Sequence, residues 1–137
     1  AVGYASEDKL RLIGVCREAL ERGIAAARAG SRIGDIGHAI QTFVEGEGFG
    51  VVREYVGHGV GRQMHEDPQI PNYGSPGTGA VLRPGMVIAI EPMMTLGTGD
   101  LYVDADGYTY RTQDGSNTAH FEHTVIITKN GPEILTQ

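Results

Sequence analysis

The sequence predicts an α+β fold, and three observations predict it. Apolar residues recur at three- and four-residue steps through two stretches near the start of the chain, the period of an amphipathic helix. From Gly50 onward the texture changes to short β-branched runs divided by turn residues, as in strands. The 21 glycines follow no Gly-X-Y period, so they mark tight turns and close backbone approaches rather than a collagen-like or linker segment.

The first helix is expected over Ser6 to Ala29, with Leu10, Ile13, Cys16, Leu20, Ile24 and Ala27 on its inner face. Ser6 is its N-cap candidate, Glu7 and Asp8 suit the positive end of the helix dipole, and Gly30 is the expected stop. A second helix is expected over Gly34 to Glu47, turning Ile36, Ile40, Phe43 and Val44 inward and ending at Gly48. His38 on that helix reads as solvated or packed, not as a ligand. Val51 to Tyr55 is a candidate strand leading into a Gly-flanked loop at His58, and Ile70 to Gly79 is irregular. Met86 to Met94 fits a strand buried on both faces, although its periodicity also fits a buried helix. Leu101–Val103 and Tyr108–Tyr110 flank Asp104-Ala105-Asp106-Gly107 as a hairpin. Phe121 to Thr128 is the last strong strand, and a short Glu133–Leu135 strand follows a turn at Asn130-Gly131.

Composition narrows the function classes. At 137 residues, residues 1–137 are expected to form a single domain large enough for a hydrophobic core. The apolar fraction of 40% and charged fraction of 20% are those of an ordinary globular protein. A formal charge of −6 without a Lys/Arg cluster speaks against nucleic acid. No apolar run reaches membrane-spanning length, and Ala1 to Lys9 lacks the basic-then-apolar pattern of a signal peptide. The single Cys16 forbids an intrachain disulfide and reads as a small buried apolar residue. A cytoplasmic setting is expected.

The chemistry concentrates on one imidazole and two carboxylates. His58 stands between Gly57 and Gly59, and His65 follows seven positions later beside Glu66 and Asp67. Taken alone, that stretch is also compatible with a Gly-rich surface loop carrying incidental histidines. Glu91 interrupts the apolar run Val87-Ile88-Ala89-Ile90, and Glu122 lies in the last strong strand. A carboxylate buried in a strand is costly unless paired, protonated or bound to a cation, and two of them repel unless they share a proton or a metal. Glu122, alternating with Phe121 and His123, can also face solvent. With His58 added, the set suits zinc, manganese, iron or cobalt. His65 is the fourth polar group, a further ligand or a donor to substrate.

Gly57-His58-Gly59-Val60-Gly61-Arg62, Met64-His65-Glu66-Asp67-Pro68-Gln69, Pro84-Gly85-Met86, Ile90-Glu91-Pro92-Met93 and Phe121-Glu122-His123-Thr124 together resemble the type I methionine aminopeptidases. The resemblance implies half of a pita-bread fold, with two N-terminal helices packed on a curved antiparallel sheet. It implies His58, Glu91 and Glu122 as metal ligands, Glu122 as a bridge between two divalent ions, and Glu91 also as the base for the attacking water. His65 would bind substrate and contact the transition-state oxyanion. The implied substrate is the N-terminal peptide bond after methionine. The resemblance covers only the second half of that family's catalytic domain. The first half supplies two aspartates, another histidine and much of the methionine pocket. Asp104, Asp106 and Asp114 occupy a turn-rich hairpin and are expected to serve its loops rather than replace those aspartates.

A halved domain implies an exposed apolar face and therefore association, either with a missing N-terminal half or as a homodimer. Two other readings compete. A proline-directed relative of the same fold, such as a prolidase or Xaa-Pro aminopeptidase, tends to carry an aspartate where this chain has His123. A non-catalytic pita-bread module for metal binding or assembly is the alternative outside the enzymes.

Overall fold

The computed structural model describes residues 3–136; Ala1 and Val2, the start of the stretch read for a leader pattern, lie outside the described residues. Two helices come first, α1 over Glu7–Ala26 and α2 over Ile33–Gly46. Ten short strands follow: β1 Gly50–Val51, β2 Gly57–Gly59, β3 Glu66–Ile70, β4 Val87–Ile90, β5 Met93–Thr95, β6 Leu101–Val103, β7 Tyr110–Thr112, β8 Thr118–His120, β9 His123–Thr128 and β10 Gly131–Ile134. The fold class is α+β, with helices on one face of antiparallel strands.

In α1 the buried stripe is Leu12, Val15, Cys16, Ala19, Leu20, Gly23 and Ile24. Leu10, expected inside, is 51% exposed; the buried stripe begins two residues later, at Leu12. The helix stops at Ala26, short of Ala29. The chain there turns through Arg28 to Ser31, and Gly30, in the left-handed region at φ 92°, donates its N–H to the Leu82 carbonyl. In α2 the buried Ile36, Ile40 and Val44 match expectation, Phe43 packs at the edge of the core, and Gly48 follows at φ 82°. Asp35 fastens the start of α2. One carboxylate oxygen accepts the Arg32 N–H and the other the Gly77 N–H, both at 2.7 Å. A Cβ on Gly37 would overlap the Tyr73 carbonyl, so the 71–79 loop can lie directly on the helix only because Gly stands there.

The strands form a five-stranded sheet in the order β10-β9-β4-β2-β3, a three-stranded sheet β1-β5-β8, and the two-stranded hairpin β6-β7. The two larger sheets are joined at one line. β4 passes into β5 through Glu91-Pro92, and β8 passes into β9 through Phe121-Glu122. Pro92 has no N–H for a ladder, which divides the expected Met86–Met94 strand in two. The expected Phe121–Thr128 strand likewise begins only at His123. Of the expected Val51–Tyr55 strand only Val51 is paired, in β1 with Gly50, because β1 pairs with β5 whereas β2 pairs with β4. Residues 52–56 carry the chain across the same line.

Register runs unbroken through this interruption. Ile90 faces His123 on one side of it and Met93 faces His120 on the other. Alternation therefore sorts the residues. Ile88, Ile90, Met94, Val125 and Ile127 turn toward the helices and are fully buried. Glu91, Met93, His120 and Glu122 fall on the opposite face, with Ala89 and its β2 neighbour His58. The β6–β7 hairpin is present, with its second strand shifted to Tyr110–Thr112.

Candidate metal centre

His58 is held in a strand, not in the loop expected for it. It pairs with Ala89 of β4 on one side and Gln69 of β3 on the other. A Cβ on Gly57 would overlap the Ala89 carbonyl and one on Gly59 the Asp67 carbonyl. The flanking glycines thus admit two neighbouring backbones, the close approach expected of them, though in a strand and not at a tight turn. The imidazole is further oriented by Nδ1, which lies 2.9 Å from the Gly59 carbonyl oxygen. An N–H donated there leaves the Nε2 lone pair free, the arrangement common to metal-binding histidines. Nε2 is 3.6 Å from Glu91 Oε1, and both side chains are nearly buried.

Glu91 sits at the break between β4 and β5, not in mid-strand as expected, and Glu122 at the matching break between β8 and β9. Because register is continuous across the gap, the two stand opposite each other on one face. Donor atoms of Glu91, His120 and Glu122 lie within 4.8 Å of one another. Two donors on one ion at about 2.0–2.2 Å are at most about 4.4 Å apart, so the carboxylates and imidazole need close only slightly to share a cation. The donor set therefore fits a divalent metal. His120 was not among the residues singled out from sequence. Its signal was the i, i+2 spacing from Glu122, which puts both side chains on one face of an extended strand. The neighbouring Glu91 carboxylate, 3.4 Å away, raises the pKa of His120, burial opposes this, and the charge of Glu122 adds to the rise.

The support beneath Glu91 comes from distant parts of the chain. Buried Asn72 donates Nδ2–H to the Glu91 carbonyl at 3.0 Å. The Cys16 thiol on α1 contacts the Pro92 carbonyl at 3.5 Å, and burial pushes its pKa up to about 12, which leaves it an inert packing group as expected. His65 is exposed, with its ring centroid 4.2 Å from that of His58. An open depression lined by His58, Gln63, His65, Glu66 and Gln69 adjoins the pair. On the other side, a cavity of about 300 Å³ lined by Val52, Tyr55, Met93, Leu101, Tyr110 and Ala119 opens beside His120.

The remaining acidic candidates serve loops. Asp104 accepts from the Ala105 N–H and Asp106 from those of Tyr108 and Thr109. Asp114 has the Ser116 hydroxyl beside it and accepts from the N–H groups of Ser116 and Thr98, which together lower its pKa to about 2. His123 Nδ1 lies 3.0 Å from the Thr136 hydroxyl, on the face away from Glu122.

Among the described residues no helix is long and apolar enough to cross a membrane. A methionine aminopeptidase of Clostridium acetobutylicum is 53% identical over 136 residues, which is 99% of this chain and 54% of that protein. The crystal structure of a methionine aminopeptidase from Thermotoga maritima superposes with a TM-score of 0.97 at 57% identity, over 99% of this chain and 55% of that one. The prolidase of Pyrococcus horikoshii follows at a TM-score of 0.74 and 28% identity, over 100% of this chain and 34% of that one. The fold is accordingly half of the pita-bread architecture, and the chain spans about half the length of the curated relatives it matches. A profile of metallopeptidase family M24 matches residues 1–129, and with a carboxylate–imidazole cluster at the seam of its sheets the chain belongs to that family.

Proposed function

We propose that residues 1–137 form the metal-binding half of a methionine aminopeptidase, which hydrolyses the peptide bond after an N-terminal methionine. The observation that carries this reading is the placement of Glu91 opposite Glu122 at coincident strand breaks, with His58 Nε2 aimed at the same carboxylate. His58, Glu91 and Glu122 are the proposed ligands of divalent cobalt, manganese, iron or zinc, two ions per complete site. A bound ion would supply Lewis acidity, polarising the scissile carbonyl and lowering the pKa of water. Glu91 is the base that takes the proton of the attacking water. His65, exposed beside His58, donates a hydrogen bond to the carbonyl oxygen as negative charge develops there. The remaining ligands would come from outside residues 1–137, from another segment of polypeptide or from a second copy. The buried, unreactive thiol of Cys16 suits a reducing cytoplasm.

Metal analysis of the purified chain, with hydrolysis of a methionine-initiated peptide, tests the reading. The chain should retain divalent metal, and in the assembled enzyme Glu91→Gln should lower turnover by roughly 10²–10⁴-fold. A chain that binds no divalent ion at neutral pH overturns the proposal. The convergence of Glu91, His120 and Glu122 also fits one other reading, a non-catalytic metal-binding module. Metal retention with no hydrolysis in any assembled form would select it.

A further inference from the structure

We propose that His120 is itself a metal ligand, so that Glu91, His120 and Glu122 make a three-donor site carried wholly by this chain. The inference rests on the metal-dependent reading above and adds to it a residue and a self-sufficient first site.

Glu91 lies between two imidazoles. Its Oε1 is 3.6 Å from His58 Nε2 and its Oε2 is 3.4 Å from His120 Nε2. Both separations exceed the roughly 2.7–2.9 Å of a charge-assisted hydrogen bond. They are close to the edge of a tetrahedron with bonds of about 2.1 Å to a central ion, about 3.4 Å. The Glu91 and His120 atoms stand about as far apart as two ligands of one cation, farther than a direct ion pair would draw them. Only on the His120 side does a third donor, Glu122, fall within the same radius.

The backbone explains why the three converge. His120 faces Met93 in the β5–β8 ladder, Glu122 follows two residues later on the same face, and Glu91 opposes Glu122 across the break. Each comes from a chain segment fixed by pairing on at least one side, so the geometry does not depend on a flexible loop. His120 remains 45% exposed on its side chain, which leaves an entry path for the ion. The chemistry also narrows the metal. Two carboxylates alone would accept magnesium or calcium, whereas an added neutral imidazole favours zinc, cobalt, nickel or iron.

The test is titration of the purified full chain with Zn²⁺, read by calorimetry and by NMR of the histidine ring nitrogens. One ion per chain should bind with high affinity, and the His120 Nε2 resonance should shift with its occupancy. His120→Gln should weaken that binding at least tenfold, and His120→Asn should do the same. Because the ring nitrogens are observed in the unaltered chain, a misfolded variant does not remove the test. A His120 resonance that stays in place while those of His58 move overturns this proposal and leaves the broader metal-dependent reading standing. A chain that takes up no zinc overturns both.

Discussion

Glu91 owes its position to three neighbours that never touch its carboxylate. Pro92 ends the ladder, Asn72 holds the Glu91 carbonyl, and Cys16 braces the Pro92 carbonyl from α1. The carboxylate is thus left free for chemistry, with an imidazole at each oxygen. His65 has a different place, outside that cluster and exposed, stacked at a tilt of 56° on His58. In the assembled enzyme His65→Ala should therefore lower turnover by roughly 10²–10³-fold, the usual effect of removing an oxyanion donor, while metal content stays unchanged. Metal analysis run beside the kinetics checks this; a variant that loses its metal at unchanged rate per bound ion would make His65 a ligand instead. Glu91 could be singled out in the chain because a carboxylate in an apolar run is anomalous wherever it stands. His120 was harder to see, since a histidine beside Ala119 and Phe121 breaks no pattern. Asn72 could not be read at all, because it acts through a backbone carbonyl 19 positions away.

At the scale of elements, both helices could be read from their periodicity, whereas strand limits were set by partners. β1 ends at Val51 because its neighbour changes from β5 to β4, information that no local window contains. The attachment of α2 is a case where local sequence does decide. Asp35 sits three residues after Arg32 and takes its backbone N–H, while its other oxygen takes the Gly77 N–H. Those two hydrogen bonds hold the Asp35 carboxyl below the usual carboxylate range, burial acting weakly against them. A depressed folded-state pKa means a contribution fully present above the ordinary aspartate value and lost as pH falls through the lower one. Asp35→Ala should cost about 1 kcal/mol near neutral pH, as for loss of a helix cap. The gap between variant and parent should begin to close only below about pH 4. Urea unfolding across that range measures it, and a gap that widened in acid would contradict the assignment.

The whole molecule presents an exposed apolar surface at the β6–β7 hairpin. Tyr108 is 85% exposed, and Tyr102, Val103 and Tyr110 add to the apolar area around the β6–β7 hairpin. That hairpin adjoins the cavity beside His120, so the bare surface and the metal cluster belong to the same side of the chain. Relatives about twice as long place further chain somewhere in their own structures, and identical copies can substitute for it most simply as a twofold dimer, each patch meeting its counterpart. Such a dimer would bring two copies of Glu91 and Glu122 toward one axis, a concentration of negative charge that needs metal ions or protons. Association and metal uptake should then be linked, each strengthening the other. Sedimentation of the purified chain with Mn²⁺ or Zn²⁺ should give twice the monomer mass of 14.6 kDa. With a chelator the same sample should shift toward monomer. A monomer at high concentration under both conditions would exclude the homodimer and leave a separate N-terminal half as the partner to supply, and titrating the chain with that half from a full-length relative would then be the direct assay of assembly.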